Sequence, residues 1–171
     1  MTNTNTNINK IINNPDLAYR YAESVIKSRW IEAEPTIMKE PLYAYHYARA
    51  FIQGRWIEAE PYIMKAPEIA WVYAKNILKE RWIEAEKNIM KDPSSAYYYA
   101  ARVINNINTT KLYPDLSENP SRWVEAEPYI IKDPYFSYVY SMWVMRTRWV
   151  EAEENIKQIE DNWHWYNNYF K

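Results

Sequence analysis

The chain of 171 residues is long enough for one domain with a substantial core, and its apolar (48%) and charged (25%) fractions are ordinary for a globular protein. A net charge of -1 argues against binding of nucleic acid or anionic membranes through overall charge, and the lack of Cys excludes disulfides, thiol nucleophiles and zinc–thiolate sites. No apolar run reaches the ~18–20 residues of a membrane-spanning helix, and MTNTNTNINK lacks the layout of a signal peptide, so we expect a cytoplasmic protein.

A motif, RWxEAE, recurs along the chain with a fixed period. Its Arg-Trp pairs are separated by 26, 26, 41 and 26 residues, and begin at Arg29, Arg55, Arg81, Arg122 and Arg148. The step of 41 equals one period plus a 15-residue insertion, residues 107–121. Self-similarity at a period of about 20–50 residues is typical of repeat architectures. We therefore predict a single repeat domain over residues 1–171.

The first predicted element is an N-terminal cap, residues 1–13. It is polar and rich in Asn, but Ile8–Asn13 resembles a degenerate copy of the second helix of a unit. Terminal units of repeat proteins are atypical because one of their faces meets solvent.

Residues 14–158 are predicted to form five units, each opening with a long helix, helix A. An X-Pro pair starts each unit, and Pro is favoured at the first helical position because its missing N–H has no intrahelical acceptor there. Three units have good N-cap residues, Asn14, Asp92 and Asp133. In the third unit an apolar stripe with helical spacing follows: Ala70, Tyr73, Ala74, Ile77 and Leu78. The pattern predicts a helix of about 13 residues.

The second part of each unit, RWIEAEPYIMK in the second one, predicts a short helix B. Trp56, Ala59 or Glu60, Ile63 and Met64 share one helical face. Pro61 lies inside this stretch, where an interior Pro would cost about 3 kcal/mol, so we place it in or near the first turn or at a kink. One hairpin cannot bury its own apolar face, so stacked hairpins are expected. The predicted fold is an all-α solenoid of two-helix repeats with a period of 26 residues.

We interpret the recurring Arg-Trp pairs as the structural joint between hairpins: Arg29, Trp30, Arg55, Trp56, Arg81, Trp82, Arg122, Trp123, Arg148 and Trp149. The Trp is expected to be core. The Arg can stack on it while its guanidinium holds a carboxylate, and Arg55 and Glu58 are spaced i, i+3. One Glu of each motif is expected to bond amides of its own first turn, and the other to meet the Arg of a neighbouring unit.

Two departures from the pattern are candidate binding sites. Helix A of the fifth unit is apolar nearly all round, at Tyr135, Phe136, Val139, Met142 and Trp143. Such a face is expected to be covered, either by the C-terminal segment or by a partner or second copy. The insertion, which carries Lys111 and Tyr113, falls on an edge of the array where a ligand or partner could bind. Residues 159–171 are predicted to be a C-terminal capping helix, a rewritten helix A out of strict register.

Catalysis and metal binding have little support in the sequence. It contains two His and one Gly, shows no nucleophile–base pairing and no phosphate-binding loop, and has no calcium-loop geometry. No catalytic residue, metal or cofactor is predicted.

The consensus DPxxAYxYAxxVIxxRWxEAEPYIMK, carried by Arg122–Lys132, Asp133–Ser141 and their copies, resembles tandem repeats in hypothetical proteins of bacteriophages and some large DNA viruses. The resemblance implies a virus-encoded protein that acts in the host cytoplasm, and it assigns no role to any residue.

Three functional hypotheses follow. The first is a non-enzymatic protein that binds a host or viral protein, or a second copy of itself, through its solenoid surface. The alternative is a protein that binds or sequesters a small nucleotide-like ligand in a cleft lined by Arg and Tyr. The third is a host-modifying enzyme. Nucleic acid and membranes are not expected partners.

Overall fold

The computed structural model describes residues 2–106 and 120–171, and all regular structure within these two ranges is helical. Pairs of a long and a short helix repeat along the chain with the period of RWxEAE, which confirms the predicted all-α repeat. The N-terminal helix α1 spans Thr2–Ile12 and packs against the first long helix. It begins earlier than the predicted Ile8. The sequence did not indicate this start, because the preceding Thr and Asn residues have low helix propensity and carry no apolar stripe.

Five long helices start at the predicted Pro residues: α2 (Pro15–Tyr21), α4 (Pro41–Tyr47), α6 (Pro67–Tyr73), α8 (Pro93–Tyr99) and α10 (Pro134–Tyr140). Each continues directly into a π-helix, which spans in turn Ala22–Ile26, Ala48–Ile52, Ala74–Leu78, Ala100–Ile104 and Ser141–Met145. The side chains of Asn14, Asp92 and Asp133 accept hydrogen bonds from backbone N–H groups of the first turn, which confirms these three N-caps. A sixth long helix, α12 (Glu160–Tyr169), ends the array.

A residue in the left-handed region ends four of the π-helices: Lys27, Gln53, Lys79 and Arg146, with φ between 54° and 60°. Its N–H bonds the carbonyl five residues earlier, at the first residue of the π-helix. The chain turns at the left-handed residue, and the Arg-Trp pair follows two positions later.

The short helices are α3 (Glu34–Ile37), α5 (Glu60–Ile63), α7 (Ile83–Ile89), α9 (Glu127–Ile130) and α11 (Glu153–Ile156). A 3-10 turn precedes three of them, at Ile31–Ala33, Val124–Ala126 and Val150–Ala152. Pro35, Pro61 and Pro128 occupy the second position of their α-helical turn, where the backbone N–H needs no intrahelical acceptor. The prediction of Pro in the first turn is therefore confirmed.

The long helices stack side by side, and each short helix contacts the long helices before and after it. The small residues of helix A allow this close approach: Ala44, Ala48, Ala70 and Ala74 are fully buried. In α10 the matching residues are Ser137 and Ser141, whose hydroxyls donate to the carbonyls of Asp133 and Tyr138. Serine fits there because its hydroxyl is bonded within the helix.

The insertion stands between helix A and helix B of the fourth unit, and the two helices still pack together. The Asn105 side chain accepts a bond from Ser121 N (2.6 Å) and donates to Ser121 O (2.9 Å). These two bonds close the base of the insertion and bring Arg122 back into register. Trp123 then packs on Tyr99 with ring centroids 5.1 Å apart, as its counterparts do in uninterrupted units.

The repeated Trp side chains are core residues, as predicted. Trp56, Trp82, Trp123 and Trp149 are 2–4% exposed, whereas Trp30, in the first joint, is partly buried. Outward residues of helix A, such as Leu42, are much more exposed.

Replacing Trp82 with Ala should lower the free energy of unfolding by about 3–5 kcal/mol, because it removes a large, fully packed side chain. Its neighbour Ile83 is 61% exposed, so Ile83→Ala is a matched control expected to cost less than about 1 kcal/mol. Urea unfolding followed by Trp fluorescence and circular dichroism measures both. Equal losses in the two variants would contradict the core assignment.

Candidate binding surface at the repeated joint

Each joint contains a carboxylate that its own unit neutralises. In four joints the guanidinium binds the second Glu of the motif through two bonds, from Nε to Oε1 and from Nη2 to Oε2; in the second joint Arg55 reaches Glu60 over 2.7 and 3.0 Å. In the fifth, Arg148 directs both groups to Oε1 of Glu153. Glu60 is only 6% exposed, while the Arg55 side chain is 49% exposed. The pair thus lies at the boundary between core and solvent.

A tyrosine of the following unit completes the joint. In the second joint the Tyr73 hydroxyl accepts a hydrogen bond from Trp56 N (2.7 Å) and donates to Oε1 of Glu60 (3.5 Å). The same two bonds recur in every joint, with Tyr47, Tyr73, Tyr99, Tyr140 and Tyr166. One hydroxyl therefore satisfies both a backbone donor and a carboxylate across the boundary between two units.

The rings of four joint tyrosines pack against the next Trp along the chain, whereas Tyr166 stacks on Trp163 of its own helix. Tyr73 lies 5.3 Å from Trp82, and Tyr47 lies 5.2 Å from Trp56, between ring centroids. Each of these four tyrosines thus bonds to the joint before it and packs on the joint after it. Adjacent joints are coupled through a single side chain.

These contacts correct three details of the predicted joint. Arg55 pairs with Glu60, at i+5, and not with Glu58. The buried Glu binds Arg and Tyr side chains instead of amides of its own first turn. In the fifth joint the Arg148 guanidinium lies over the ring of Tyr166, and not over that of Trp149. The tyrosine was missed, although it stands 17 residues after the Trp in every unit.

The first Glu of each motif is exposed, and in the third and fifth motifs its charge acts on the Arg of the preceding unit, as expected for one of the two carboxylates. Hydrogen bonds from Glu60 raise the pKa of Arg55, and the charge of Glu84 in the next unit adds to this effect. Glu151 acts in the same way on Arg122, whose pKa is raised mainly by its bonds to Glu127. Opposite charges of neighbouring units therefore interact at these two boundaries.

The residue between Trp and Glu in RWxEAE forms an exposed aliphatic row, which we call the aliphatic ridge. It is Ile or Val in every copy and is 59–68% exposed: Ile31, Ile57, Ile83, Val124 and Val150. Each stands at the same place in its unit, directly after the Trp that packs into the core. The sequence signal was present, since a position that carries only β-branched aliphatic residues is neither random nor typical of a solvated loop.

A groove lies beside the ridge residue Val124. Between the fourth and fifth joints it has a volume of about 300 Å³ and is lined on one side by Arg122, Val124 and Pro128 and on the other by Trp149 and Glu151. The ridge residues and the exposed Glu that follows each of them form a surface that alternates apolar and acidic side chains. Such a surface suits a partner in which apolar and basic side chains alternate.

The predicted apolar face of α10 is largely covered within the chain. Val139 is 6% exposed, Phe136 packs on Tyr97 (6.0 Å between centroids), and Met142 and Trp143 are partly buried against the core. Only Tyr135, 48% exposed, is well exposed. The covering helix on one side is α12, so the C-terminal segment does fold over α10. Lys111 and Tyr113 of the insertion lie outside the described residues.

The prediction that the C-terminal helix is out of register is wrong. Tyr166 follows Tyr140 by 26 residues, and its hydroxyl accepts the N–H of Trp149 (2.7 Å). The match was hidden because Ile159-Glu160 replaces X-Pro and the small residues of the stripe become Trp163 and Asn167. Large residues fit there because no further helix among the described elements packs on the far side of α12.

In residues 2–106 and 120–171, no group of His, Asp and Glu is arranged to hold a metal ion. Over the same ranges, no helix has the length and apolar character needed to cross a bilayer. Comparison of the chain with protein-family models, curated proteins and solved structures yields no match. The joint and the ridge are therefore interpreted from their own geometry.

The joint tyrosines predict a loss of stability at alkaline pH. Burial raises the pKa of Tyr47 and Tyr73 to about 12, from the ordinary value of 10.0. The folded state therefore holds protons that the unfolded state releases, so the stabilisation is complete below about pH 10 and is lost as pH rises towards 12. Each such tyrosine lowers the free energy of unfolding by up to about 1.4 kcal/mol per pH unit in this window.

Urea unfolding at several values from about pH 8 to pH 11 measures this dependence. Tyr73→Phe should cost about 1–3 kcal/mol near neutral pH, by removing an acceptor and a donor, and should make the alkaline decline shallower. The exposed Tyr135→Phe should leave the decline as it is in the unchanged protein. A decline of the same steepness in all three proteins would contradict the assignment.

Deleting Asn162–Lys171 should expose α10 and remove the hydroxyl of the fifth joint. The truncated chain is expected to self-associate and to bind a hydrophobic dye, because large apolar surfaces do not remain in water. Light scattering and dye fluorescence measure this. Tyr166→Phe, which removes only the hydroxyl, should stay monomeric under conditions in which the full chain does. A truncated chain that is monomeric and does not bind dye would show that α12 is not the cover.

Proposed function

We propose that the protein is a non-enzymatic binding protein whose aliphatic ridge engages a segment of another protein. The observation that carries the proposal is the ridge itself. Five β-branched residues are exposed to water at one place in every unit, directly after a Trp that packs against the core. Because the same apolar contact is repeated in every unit, the ridge suits a long partner that places one apolar side chain on each unit.

The electrostatics of the surface support a basic partner. The Arg of each joint is already neutralised by a Glu that is buried in four joints and partly buried in the fifth. The Glu beside each ridge residue is exposed: Glu32, Glu58, Glu84, Glu125 and Glu151. A partner with Lys or Arg between its apolar residues would match this surface. Such pairing contributes to specificity and association rate more than to affinity.

The spacing of the units supports an extended partner. Packed helices lie about 8–10 Å apart, and three residues of extended or polyproline-II chain cover roughly the same distance. An extended segment with an apolar side chain at every third position would therefore place one side chain on each ridge residue. The resemblance to viral repeats makes a host or viral protein the expected source of this segment, and the viral origin is part of the proposal.

A synthetic peptide tests this function directly. A fluorescein-labelled 15-residue peptide with Leu at every third position and Lys and Ser between should bind the full chain, as measured by fluorescence anisotropy. Its shuffled isomer, with the same composition but no three-residue period, should bind at least tenfold more weakly. Exchanging Ile57 and Ile83 for Asp should weaken binding of the periodic peptide by tenfold or more, since each contact is worth about 1.5 kcal/mol or more.

The matched control is Leu42→Asp, a change of equal chemistry at a residue that is 43% exposed on a long helix, away from the ridge. It should bind the periodic peptide like the unchanged protein. Glu58→Lys combined with Glu84→Lys should weaken binding most at low salt. Equal binding of the two peptides, or equal loss in the ridge and control variants, would reject the proposal.

A further inference from the structure

The groove beside Val124 combines apolar walls with an excess of negative charge. Its volume is about 300 Å³, and its walls are formed by Val124, Pro128, Ile131 and Trp149. Its charged lining consists of one cation and two carboxylates: Arg122, Glu127 and Glu151. Arg122 donates two hydrogen bonds to Glu127, over 2.8 and 2.6 Å, so these two charges are matched within one unit. The charge of the exposed Glu151 also acts on Arg122, but one guanidinium cannot neutralise two carboxylates, so the groove keeps a net negative charge.

The fourth unit has smaller side chains at this groove than the first three units have. Val124 stands where these units carry Ile31, Ile57 and Ile83. Ile131 stands where they carry Met38, Met64 and Met90. The fifth unit has Val150 and Lys157 at these positions, so the two exchanges occur together in the fourth unit alone. Val is shorter than Ile by one carbon, and branched Ile extends less far than unbranched Met, so the exchanges leave space at this boundary.

A periodic surface does not by itself fix the position of a periodic partner. The segment proposed to bind the aliphatic ridge meets an aliphatic residue and an exposed Glu in every unit, so a displacement by one unit exchanges like contacts for like. In a coiled coil, a single distinct residue is enough to fix the register of two otherwise periodic helices. A groove that differs from the matching positions of the other units can serve the same purpose on the ridge.

We propose that this groove receives one arginine side chain of the bound segment and thereby fixes the register of that segment on the aliphatic ridge. The inference rests on the proposed function, because it assigns one position within the same bound segment. The methylene groups of the arginine lie on Val124 and Pro128, since long basic side chains bury their stems on apolar surface and keep the charged end in water. The guanidinium pairs with Glu151, a contact that suits the planar, weakly hydrated group of Arg better than the ammonium of Lys.

Two fluorescein-labelled peptides test the anchor on the full chain by fluorescence anisotropy. Both keep the 15-residue pattern of Leu, Lys and Ser, but one has Arg in place of Lys in the first and last gaps between Leu residues, and the other has citrulline there. Placing the exchange at both ends allows either chain direction to bring it to the groove. Citrulline has the shape of Arg without its charge, so the Arg peptide should bind about fivefold or more tightly than the citrulline peptide.

Two variants of the protein locate the anchor. Val124→Ile restores the side chain of the first three units, so it narrows the groove while the ridge stays aliphatic, and it should abolish the preference for Arg over citrulline. Val150→Ile makes the same exchange at a ridge residue that does not line the groove and should keep the preference. Glu151→Gln should also abolish it, whereas Glu125→Gln, the same change at the preceding exposed Glu, should keep it.

The possible failures are distinguishable. Equal binding of the Arg and citrulline peptides to the unchanged protein would overturn the anchor. If the periodic peptide of Leu, Lys and Ser still binds more tightly than its shuffled isomer, the ridge function stands and the anchor alone fails; if it does not, the ridge function fails and the anchor with it. A preference for Arg that survives both Val124→Ile and Glu151→Gln would show that the arginine binds elsewhere.

Discussion

The buried carboxylate of each RWxEAE motif is the group on which the stack depends. A carboxylate taken out of water is costly unless it is paired and hydrogen-bonded. Glu60 obtains its charge partner, Arg55, from its own unit, but the hydroxyl that completes its coordination belongs to the next unit. A hairpin on its own would leave that bond to water and the Trp amide unpaired. Stacking therefore satisfies polar groups as well as covering apolar surface.

This dependence also sets the register of the array. The bond from Trp N–H to the tyrosine hydroxyl is directional and spans 17 residues, so a unit displaced by one residue would lose it in every joint. The insertion shows what the joint tolerates. Residues added between helix A and helix B are accepted once Asn105 clamps their base, because Arg122, Trp123 and Glu127 still meet as in the other units. An insertion inside the 17-residue span would break the bond between the Trp N–H and the tyrosine hydroxyl, because it would displace one partner from the other.

Stability and binding are assigned to different residues of the same short motif. Trp, Ala and the second Glu of RWxEAE turn inward, while the aliphatic residue and the first Glu turn outward. The repeat that builds the core therefore also builds a periodic surface, which is the basis of the proposed protein-binding function.

The amino-acid sequence by itself determined the period, the long and short helices, the Pro at each helix start and the burial of Trp. These follow from local spacing, because helix geometry converts a 26-residue repeat into faces that can be read residue by residue. It did not determine which Glu meets Arg or that Tyr166 belongs to the last joint. Those contacts join residues of different elements, and their partners are chosen by how the hairpins stack. Only the tertiary structure decides these partners, because spacing along the chain does not give the distances between residues of different units.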